Sequence, residues 1–582
     1  MLMTVLRGKK LLLGLFVLIV FTASLRGDVQ RRVMAFYYPW YGVPDGPGGA
    51  GRVMHWGNVD AAKKDIEAST NYPIDGAYDS HDPEMIERHC KWAVESNIDT
   101  FIVSWWGHGS FSDRAMDKIL DICKRNEMKA CIYYETVPRP RTPLSAANDI
   151  VKVLNRYGAH DAYLKAGGRP VVFVYGRALE ELGLRGWLEA NEIVNEKYKA
   201  GVAAIGDAFS YGSARVFDGV HTYNTAGSLR GVEHDEARKW ASATYRSWVQ
   251  MADRAGRIST ITVIPGYDDT KIREPGLAVG RYDGELYRLQ WEEAIEADPH
   301  WILITSFNEW HEGSEIEPSL QYGRRYLGLT AGYAKRFKAK PRSAISPAVL
   351  QQFSVGEKAR LREKFKGIRV GVLPNADSIA FWWLLDLGVD MKSLRWQGVA
   401  GRDLTVQNYP VLLYCGGEHY QRSINKIGDV DDALSGYLKS GGCLLILPSK
   451  PWPFYYDWGG EVVKGSDRLG LNLRMGWERP PADDKFYFVQ PQRYLPRISD
   501  KFAFPVSGDL RWRPFFSSEG AEHISLLQLR DEENEYYGDA VAFTDLNDGG
   551  RILYVWFGLL EGPYAEALLY DLFDFVATRL GR

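Results

Sequence analysis

Eight short apolar runs alternate with longer amphipathic stretches between Arg32 and Phe307, and this alternation constrains the fold more than any other feature. Apolar strands separated by helices predict a parallel sheet that helices cover on both faces. Eight such units in about 300 residues predict a (β/α)8 TIM barrel. The predicted strands are Val33–Trp40, Thr100–Trp106, Lys129–Glu135, Pro170–Tyr175, Gly201–Ile205, Gly219–Tyr223, Thr260–Pro265 and Trp301–Phe307. The fifth unit is the weakest, because only a short glycine-containing segment follows Ile205.

A second strand–helix alternation follows the polar, proline-containing segment Lys338–Pro347. We therefore predict a barrel domain over residues 28–340, a linker over 341–347 and a second domain over 348–582. Its alternation predicts a smaller open α/β sheet of flavodoxin type, and this part vaguely resembles class I glutamine-amidotransferase-like domains. The predicted elements are strands Ile368–Leu373, Val411–Cys415, Cys443–Pro448 and Arg551–Gly558, and helices Ser378–Leu387, Asp429–Leu438 and Pro563–Leu580.

The first residues have the pattern of an export signal. Arg7, Lys9 and Lys10 precede an apolar run from Leu11 to Phe21, and small residues follow it. This order predicts a signal peptide over residues 1–27 and a secreted or periplasmic protein. The alternative is an uncleaved membrane anchor, which the length of the run disfavours because a bilayer span needs about 20 apolar residues.

Charge and cysteine content exclude several classes of partner. The chain has 71 Lys and Arg against 74 Asp and Glu, so no basic surplus is present to neutralise nucleic-acid phosphates. The five cysteines form no CxxC pair and no metal-ligand spacing, and we predict buried free thiols. His55, His81 and His108 also lack ligand spacing, so we predict neither a metal nor a cofactor. The 19 Trp and 33 Tyr weakly favour a carbohydrate partner.

Aromatic and acidic residues follow the predicted barrel strands directly. Because the carboxyl ends of barrel strands meet at the rim where active sites are built, these residues predict an aromatic cup that contains acids. The segments that form it are Tyr37-Tyr38-Pro39-Trp40-Tyr41, Ser104-Trp105-Trp106, Tyr133-Tyr134-Glu135, Val174-Tyr175, His221-Thr222-Tyr223, Gly266-Tyr267-Asp268-Asp269 and Asn308-Glu309-Trp310-His311-Glu312.

The segment after the eighth strand, Thr305–Pro318, carries four carboxylates: Glu309, Glu312, Glu315 and Glu317. Glycosidic cleavage uses one carboxyl group to protonate the leaving oxygen and a second as base or nucleophile. Glu309 and Glu312 are three residues apart, a spacing that directs both side chains to one cleft on a turn. The adjacent Asn308, Trp310 and His311 can orient the pair and tune its pKa values. The alternative is a solvated acidic loop that caps a helix.

The stretch Phe-Asn-Glu-Trp-His-Glu-Gly-Ser-Glu-Ile-Glu-Pro, which ends at Pro318, resembles the signature of glycoside hydrolase family 99, the endo-α-1,2-mannosidases and endo-α-1,2-mannanases. Phe36-Tyr-Tyr-Pro-Trp-Tyr41, Ser104-Trp-Trp106 and Pro265-Gly-Tyr-Asp-Asp-Thr270 are similar to that family too. The resemblance covers about residues 32–339 in motif order and does not include the C-terminal part. Ser314-Glu315 departs from the more common Thr-Gln.

The resemblance implies a retaining endo-acting enzyme that forms a 1,2-anhydro sugar. It assigns Glu309 as the base toward the substrate 2-hydroxyl and Glu312 as the general acid and base. It also implies substrate contacts from further residues of the rim. These are Tyr38, Trp105 or Trp106, Glu135, Tyr223, Tyr267, Arg273, Asn308 and His311. Glu135 either binds a hydroxyl or pairs with Arg273.

The sequence leaves three other functions open. One is an endo-glycosidase on another α-linked polysaccharide, such as an α-glucan. A second is a non-catalytic glycan-binding surface protein, which the presence of both Glu309 and Glu312 disfavours. A third is a polysaccharide-assembly protein, which the export signal disfavours, as does the absence of a recognisable site for a nucleotide-sugar diphosphate.

Overall fold

The computed structural model describes residues 29–343, 353–469, 471, 473, 486–505, 509–516, 521–562 and 564–581. The predicted signal peptide and residues 344–347 of the predicted linker lie outside these ranges. Residues 341–343 are described, and Arg342 there donates to the Asp298 carbonyl oxygen at 2.8 Å. The chain therefore still contacts the barrel at the point where the predicted linker begins.

Eight parallel strands close into a barrel, which confirms the predicted fold. Around the barrel the order is β3-β2-β1-β8-β7-β6-β5-β4, and β3 pairs with β4 to close it, with Ile132 opposite Val172. The strands are β1 Arg32–Tyr37, β2 Thr100–Trp105, β3 Lys129–Tyr134, β4 Arg169–Val174, β5 Ala203–Asp207, β6 Gly219–His221, β7 Ile258–Val263 and β8 Trp301–Ile304. Every residue of β2, β7 and β8 is buried, because side chains fill the barrel interior and helices cover its outside.

Helices follow the strands in the predicted places, and several begin at side-chain caps. Asp82 and Ser110 each accept a hydrogen bond from a backbone amide in the first turn, and Thr142 forms a capping box with Ser145. The α-helices are Pro83–Glu95, Phe111–Arg125, Pro143–Tyr157, Gly176–Lys197, Ser213–Val216, Ala226–Leu229, His234–Arg254, Glu285–Ala297 and Arg325–Ala339, with 3-10 turns at Tyr282–Gly284 and Trp310–Glu312. Only the four-residue helix Ser213–Val216 follows β5, which accounts for the weak fifth unit.

Loops of the barrel carry further two-residue strands. They are Val59–Asp60, Asp65–Ile66, Lys165–Ala166, Tyr267–Asp268 and Ala278–Val279. The pair Tyr267–Asp268 and Ala278–Val279 lies between β7 and the next helix, and it holds the segment that contains Arg273.

The second domain contains a nine-stranded mixed sheet in the order β10-β9-β11-β12-β17-β16-β15-β13-β14. The strands are β9 Val370–Val372, β10 Met391–Ser393, β11 Val411–Tyr414, β12 Cys443–Ile446, β13 Tyr487–Val489, β14 Lys501–Ala503, β15 Glu522–Arg530, β16 Tyr536–Asp545 and β17 Arg551–Val555. The first five strands of that order are parallel, as the predicted open α/β sheet requires. The antiparallel extension through β16, β15, β13 and β14 was not predicted.

Helices and one short strand pair complete the second domain. The helices are Val355–Lys364, Ile379–Leu387, Trp396–Val399, Asp429–Lys439, Gly465–Arg468, Gly558–Glu561 and Ala565–Arg579. The strand pair is His419–Tyr420 with Tyr456–Asp457, which joins the loops after β11 and β12.

Helix Ile379–Leu387 of the second domain packs against the barrel. Asp386 pairs with Arg215 at 2.6 Å and accepts from the Tyr211 hydroxyl at 2.9 Å. Trp382 lies so close to Gly212 that a Cβ there would be 2.4 Å from the indole nitrogen. Any larger residue at position 212 would clash with Trp382, so the contact between the two domains requires glycine there.

The five cysteines are buried and free, as predicted. Within the described ranges, no helix is both long and apolar enough to cross a membrane.

Candidate active site

A single turn after β8 presents Glu309 and Glu312. Trp310–Glu312 form a 3-10 turn, and the Glu309 side chain accepts from the His311 amide at its start, at 3.2 Å. Ser306 Oγ accepts from the Glu309 amide at 2.7 Å. Gly313 ends the turn with a φ of 54°, a conformation that glycine adopts without strain. The turn therefore fixes both carboxylates by local hydrogen bonds, and the spacing of three residues places them in one cup.

Glu309 is almost completely buried, with an exposed fraction of 2%. Its Oε1 accepts a long hydrogen bond from the Tyr41 hydroxyl at 3.5 Å and lies 3.7 Å from His311 Nδ1. Its Oε2 is buried and has no hydrogen-bond partner. Burial, followed by the negative charge of Glu312, raises the Glu309 pKa well above its ordinary value. A buried carboxylate oxygen without a partner is costly, and a substrate hydroxyl would satisfy it.

Glu312 has partners on both carboxylate oxygens. The Tyr223 hydroxyl donates to Oε2 at 2.9 Å, and Arg273 donates to Oε1 at 3.3 Å from each of two guanidinium nitrogens. Burial raises the Glu312 pKa, whereas Arg273 and the tyrosine hydrogen bonds lower it. Arg273 is positioned by the Tyr267 hydroxyl at 2.8 Å and by Asp269.

The two carboxyl groups act as a titrating pair. Burial raises both pKa values, and the charge of Glu312 further opposes ionisation of Glu309, so the pair favours a state with one proton. One protonated and one ionised carboxyl group is the state that acid–base cleavage of a glycosidic bond requires.

The other two carboxylates of the same segment support the turn from within the protein. Glu315 pairs with the buried Arg281 at 2.7 Å, and burial raises its pKa to about 7. Glu317 accepts from His89 Nε2 and the Tyr78 hydroxyl at 2.9 and 2.8 Å. Glu317 is engaged on both oxygens, whereas Glu315 Oε1 accepts from Asn71 and Arg281 and its Oε2 is buried without a hydrogen-bond partner. Neither side chain contacts the residues that hold Glu312, so we take Glu309 and Glu312 as the acid pair of the cup.

Glu135 lies at the end of β3, buried at the cup, and accepts from Ser104 Oγ at 2.7 Å. Burial raises its pKa to about 8, opposed by the Ser104 hydrogen bond and the charge of Arg177. Ser104 also accepts from the Trp106 indole at 3.0 Å, which links Glu135 to that ring. Arg273 engages Asp269 and Glu312, so the pairing of Glu135 with Arg273 that the sequence left open is not formed.

Aromatic rings form the wall of the cup. Tyr223 lies 6.3 Å from Tyr38 and 6.1 Å from Tyr175 between ring centroids. Trp40 lies 6.1 Å from Trp106 and 5.9 Å from His311. These contacts bring together residues that follow β1, β2, β4, β6 and β8, as the predicted cup requires.

The structure does not bring Trp105 and Asn308 to the surface of the cup. Trp105 is 1% exposed, donates to Asp113 at 2.8 Å and stacks on Tyr134, because alternate residues of β2 point away from the barrel interior. Asn308 is fully buried and pairs with the backbone of Tyr38 at 2.8 and 3.1 Å. Both residues are held by protein groups and position their neighbours, and their predicted contact with substrate stays a prediction.

Asp207 is a site residue that the sequence analysis missed. It ends β5 and accepts from the Gly176 amide at 3.1 Å and the Tyr223 amide at 3.2 Å. Burial raises its pKa to about 7. Asp207 therefore holds the backbone of the tyrosine that donates to Glu312. The sequence did contain a signal for Asp207, because this residue lies two positions after the predicted strand end at Ile205 and so on the rim of the barrel.

Within the described ranges, no group of three or more His, Cys, Asp or Glu residues is arranged to hold a metal ion. Burial lowers the pKa of His311, which favours its neutral form. Its Nε2 faces the His55 carbonyl oxygen.

Comparison with known proteins agrees with this geometry. Residues 28–327 match Glycosyl hydrolase family 99. The chain is 27% identical over 335 residues to "Glycoprotein endo-alpha-1,2-mannosidase" of Rattus norvegicus, covering 50% of this chain and 68% of the relative. It is 26% identical over 337 residues to "Glycoprotein endo-alpha-1,2-mannosidase-like protein" of Homo sapiens, covering 51% and 70%.

Among solved structures, the GH99 endo-alpha-mannosidase from Bacteroides thetaiotaomicron aligns with a TM-score of 0.47 and 28% identity, over 55% of this chain and 99% of that one. The family match spans more than half of the 582 residues and contains the whole carboxylate turn. The chain thus belongs to glycosyl hydrolase family 99 and is a glycoside hydrolase.

Proposed function

We propose that this protein is a retaining endo-glycosidase that cleaves α-1,2-mannosidic linkages in mannan or mannose-containing glycans. The observation that carries the proposal is the pair Glu309, which is buried with one unpartnered oxygen, and Glu312, which is partly buried, in one aromatic cup. The names of the relatives, which are endo-α-1,2-mannosidases, support the choice of sugar and linkage.

In the first step, Glu309 removes the proton of the substrate 2-hydroxyl. The freed oxygen attacks the anomeric carbon, the bond to the leaving oxygen breaks, and the Glu312 proton passes to that oxygen. The product is a 1,2-anhydro sugar. An α-mannoside suits this step, because its axial 2-hydroxyl lies trans to the leaving group and attacks from the opposite face.

In the second step, Glu312 acts as the base and removes a proton from water. The water oxygen attacks the anomeric carbon, the 1,2-anhydro ring opens, and the proton on Glu309 returns to the 2-oxygen. Two inversions give net retention. Arg273 and Tyr223 stabilise the ionised form of Glu312 that the first step generates. Because the pKa rise in the free site is stronger at Glu309, the step also requires the proton to move to Glu312 when the substrate 2-hydroxyl binds at Glu309.

The remaining cup residues bind the sugar in this proposal. Tyr38 donates to a hydroxyl group beside the carboxylates, the Tyr223 oxygen accepts from one, and Trp106 stacks on a sugar ring. Burial raises the pKa of Glu135 to about 8, which favours the protonated form at neutral pH, and in that form Glu135 donates a hydrogen bond to a sugar hydroxyl. Tyr267 and Arg273 lie on the Glu312 side, where the departing oxygen is protonated.

We also propose that the protein acts outside the cytoplasm, on the evidence of the charged and apolar order of residues 1–27.

The proposal is tested by incubating the full chain with α-1,2-linked mannan side chains and with an unbranched α-1,6-mannan, followed by product sizing and NMR of the new anomeric centre. We expect internal cleavage of the α-1,2 linkages with retention. Cleavage of an α-glucan but not of mannan would reassign the substrate, and no cleavage of any α-linked polymer would favour a non-catalytic glycan-binding role.

The 2-hydroxyl step has its own test. A substrate with a 2-deoxy sugar at the cleaved position should not turn over, and a synthetic 1,2-anhydro mannose should be processed. Detection of Glu309 esterified by a trapped sugar in mass spectrometry would contradict the mechanism, because it would make Glu309 an ordinary nucleophile.

A further inference from the structure

The second domain exposes a tryptophan that the fold does not use. Trp458 is 65% exposed, whereas the other tryptophans of the described ranges are buried or half-buried. It lies at the tip of the turn Asp457–Glu461, which is closed by a 2.8 Å hydrogen bond between the backbones of its end residues. A single exposed aromatic side chain is common on protein surfaces, so the rings and polar groups beside Trp458 decide whether it belongs to a binding site.

Further rings extend this surface toward the sheet. Tyr456 lies two residues from Trp458, stacks on His419 with centroids 5.0 Å apart, and lies 6.4 Å from Trp452. Trp452, Tyr456 and His419 are half-buried or exposed. We call Trp452, Tyr456, Trp458 and His419 the aromatic ledge. It occupies the loops after β11 and β12, at the carboxyl edge of the parallel strands, where α/β sheets bind ligands.

Polar groups suited to hydroxyls adjoin the ledge. The Arg511 guanidinium lies 5.4 Å from the Trp452 ring centroid and is held by Asp509 through Nε and Nη2, which leaves Nη1 on the side of Glu418. Its Nη1 is 3.4 Å from Glu418 Oε1, an ion-pair contact without hydrogen-bond geometry, so this oxygen accepts no hydrogen bond. A flat apolar face beside a carboxylate and a guanidinium matches a pyranose, which has a C–H face and hydroxyls that both donate and accept.

The ledge is separate from the rings that hold the two domains together. Trp382 and Trp383 are buried, and Trp382 contacts the barrel at Gly212. The helix that carries them begins at the same edge as the ledge, because the Ser378 amide donates to the Cys415 carbonyl oxygen at 2.9 Å. The domain contact therefore leaves Trp458 open to solvent and fixes the ledge relative to the barrel.

We propose that the aromatic ledge is a second glycan-binding site, which holds a chain of neutral hexopyranoses outside the catalytic cup. The choice of α-mannan as that chain rests on the proposed function. Binding there would keep the polymer at the enzyme between cleavage events, since a second contact on one chain raises the effective concentration of the polymer at the first.

The test is native affinity electrophoresis through gels that contain soluble α-mannan. The parent is the full chain with Glu312→Gln, so that the polymer is not consumed. Trp458→Ala and Trp452→Ala are made in this parent, and each should weaken retardation about tenfold, the loss expected for one aromatic sugar contact. The matched control is Tyr536→Ala, an exposed aromatic residue that contacts Phe516 and Arg530 instead, and it should bind as the parent does.

Parent-like retardation of the Trp458→Ala protein, or no retardation of the parent, would overturn the proposal.

Sedimentation of the free protein supplies a second readout. If the parent is a dimer and Trp458→Ala makes it a monomer, the ledge is a contact with a second copy of the chain and the proposal is overturned. Hydrolysis of a short α-mannosyl oligosaccharide separates the two proposals. Trp458→Ala in the otherwise unchanged chain should cleave it at the parent rate, and failure of the unchanged chain to cleave it would reject the proposed function alone.

Discussion

Replacement of Tyr223 by Phe removes one hydrogen bond from Glu312 and leaves the ring in place. The Tyr223 hydroxyl donates to Glu312 Oε2 at 2.9 Å, and this bond stabilises the ionised carboxylate and so lowers its pKa. A hydrogen bond to a charged group contributes about 1.5–3 kcal/mol. One pKa unit corresponds to about 1.4 kcal/mol. Arg273 still contacts Oε1, so we expect the Glu312 pKa to rise by about one unit in the variant.

Tyr223→Phe should move the alkaline limb of the activity profile to higher pH. In the proposed mechanism Glu312 must be protonated to donate to the leaving oxygen, so activity should fall on the alkaline side as it ionises. In Tyr223→Phe the group keeps its proton to a higher pH, and the alkaline limb of the kcat/KM profile should move up by about one pH unit. The plateau should fall about tenfold, because the ionised product of proton transfer loses about 1.4 kcal/mol of stabilisation.

The assay is the pH dependence of kcat/KM on an α-1,2-mannoside, with Tyr133→Phe as the matched control. Tyr133 is a buried tyrosine 6.0 Å from the Tyr223 ring, but its hydroxyl donates to Asp207 at 3.4 Å and not to Glu312. Its alkaline limb should stay in place. An unmoved or lowered limb in Tyr223→Phe, or an equal shift in both variants, would refute the acid role of Glu312.

Three further predictions concern the carboxylates and the absence of a cofactor. Glu312→Gln should reduce kcat on an unactivated mannan by at least about 10²–10⁴-fold while binding persists, and near-normal turnover would contradict the assignment. Glu315→Gln leaves the buried Arg281 without its carboxylate, so differential scanning calorimetry should show a Tm lower by several degrees, and an unchanged Tm would mean that the pair adds no net stability. EDTA should leave the rate unchanged, since the proposed steps use only carboxylates and the substrate hydroxyl; loss of activity that a divalent ion restores would reveal a metal requirement.

Local patterns in the sequence were sufficient to predict the barrel. Continuous apolar runs such as Phe101–Val103 become strands buried on both faces, and capped amphipathic segments such as Pro83–Glu95 become helices that cover them. The antiparallel half of the second sheet was missed because strands such as Glu522–Arg530 owe their pairing to partners elsewhere in the chain. Their own pattern carries little of that information.

The sequence by itself determined which residues are the candidates for the proposed chemistry, because the carboxylates of the Glu309–Glu312 turn are local to one motif at a strand end. Only the tertiary structure decided what each of the four glutamates does. Glu315 and Glu317 differ from the other pair through Arg281, which lies 34 residues before Glu315, and His89, which lies 228 residues before Glu317. Whether a side chain ionises or pairs depends on burial and on charges within a few ångströms, and these are set by which distant segments the closed barrel brings together. Contacts between distant segments likewise place Asp207 against the Tyr223 amide and bury Trp105. They also bury Trp382 in the domain contact and leave Trp458 exposed.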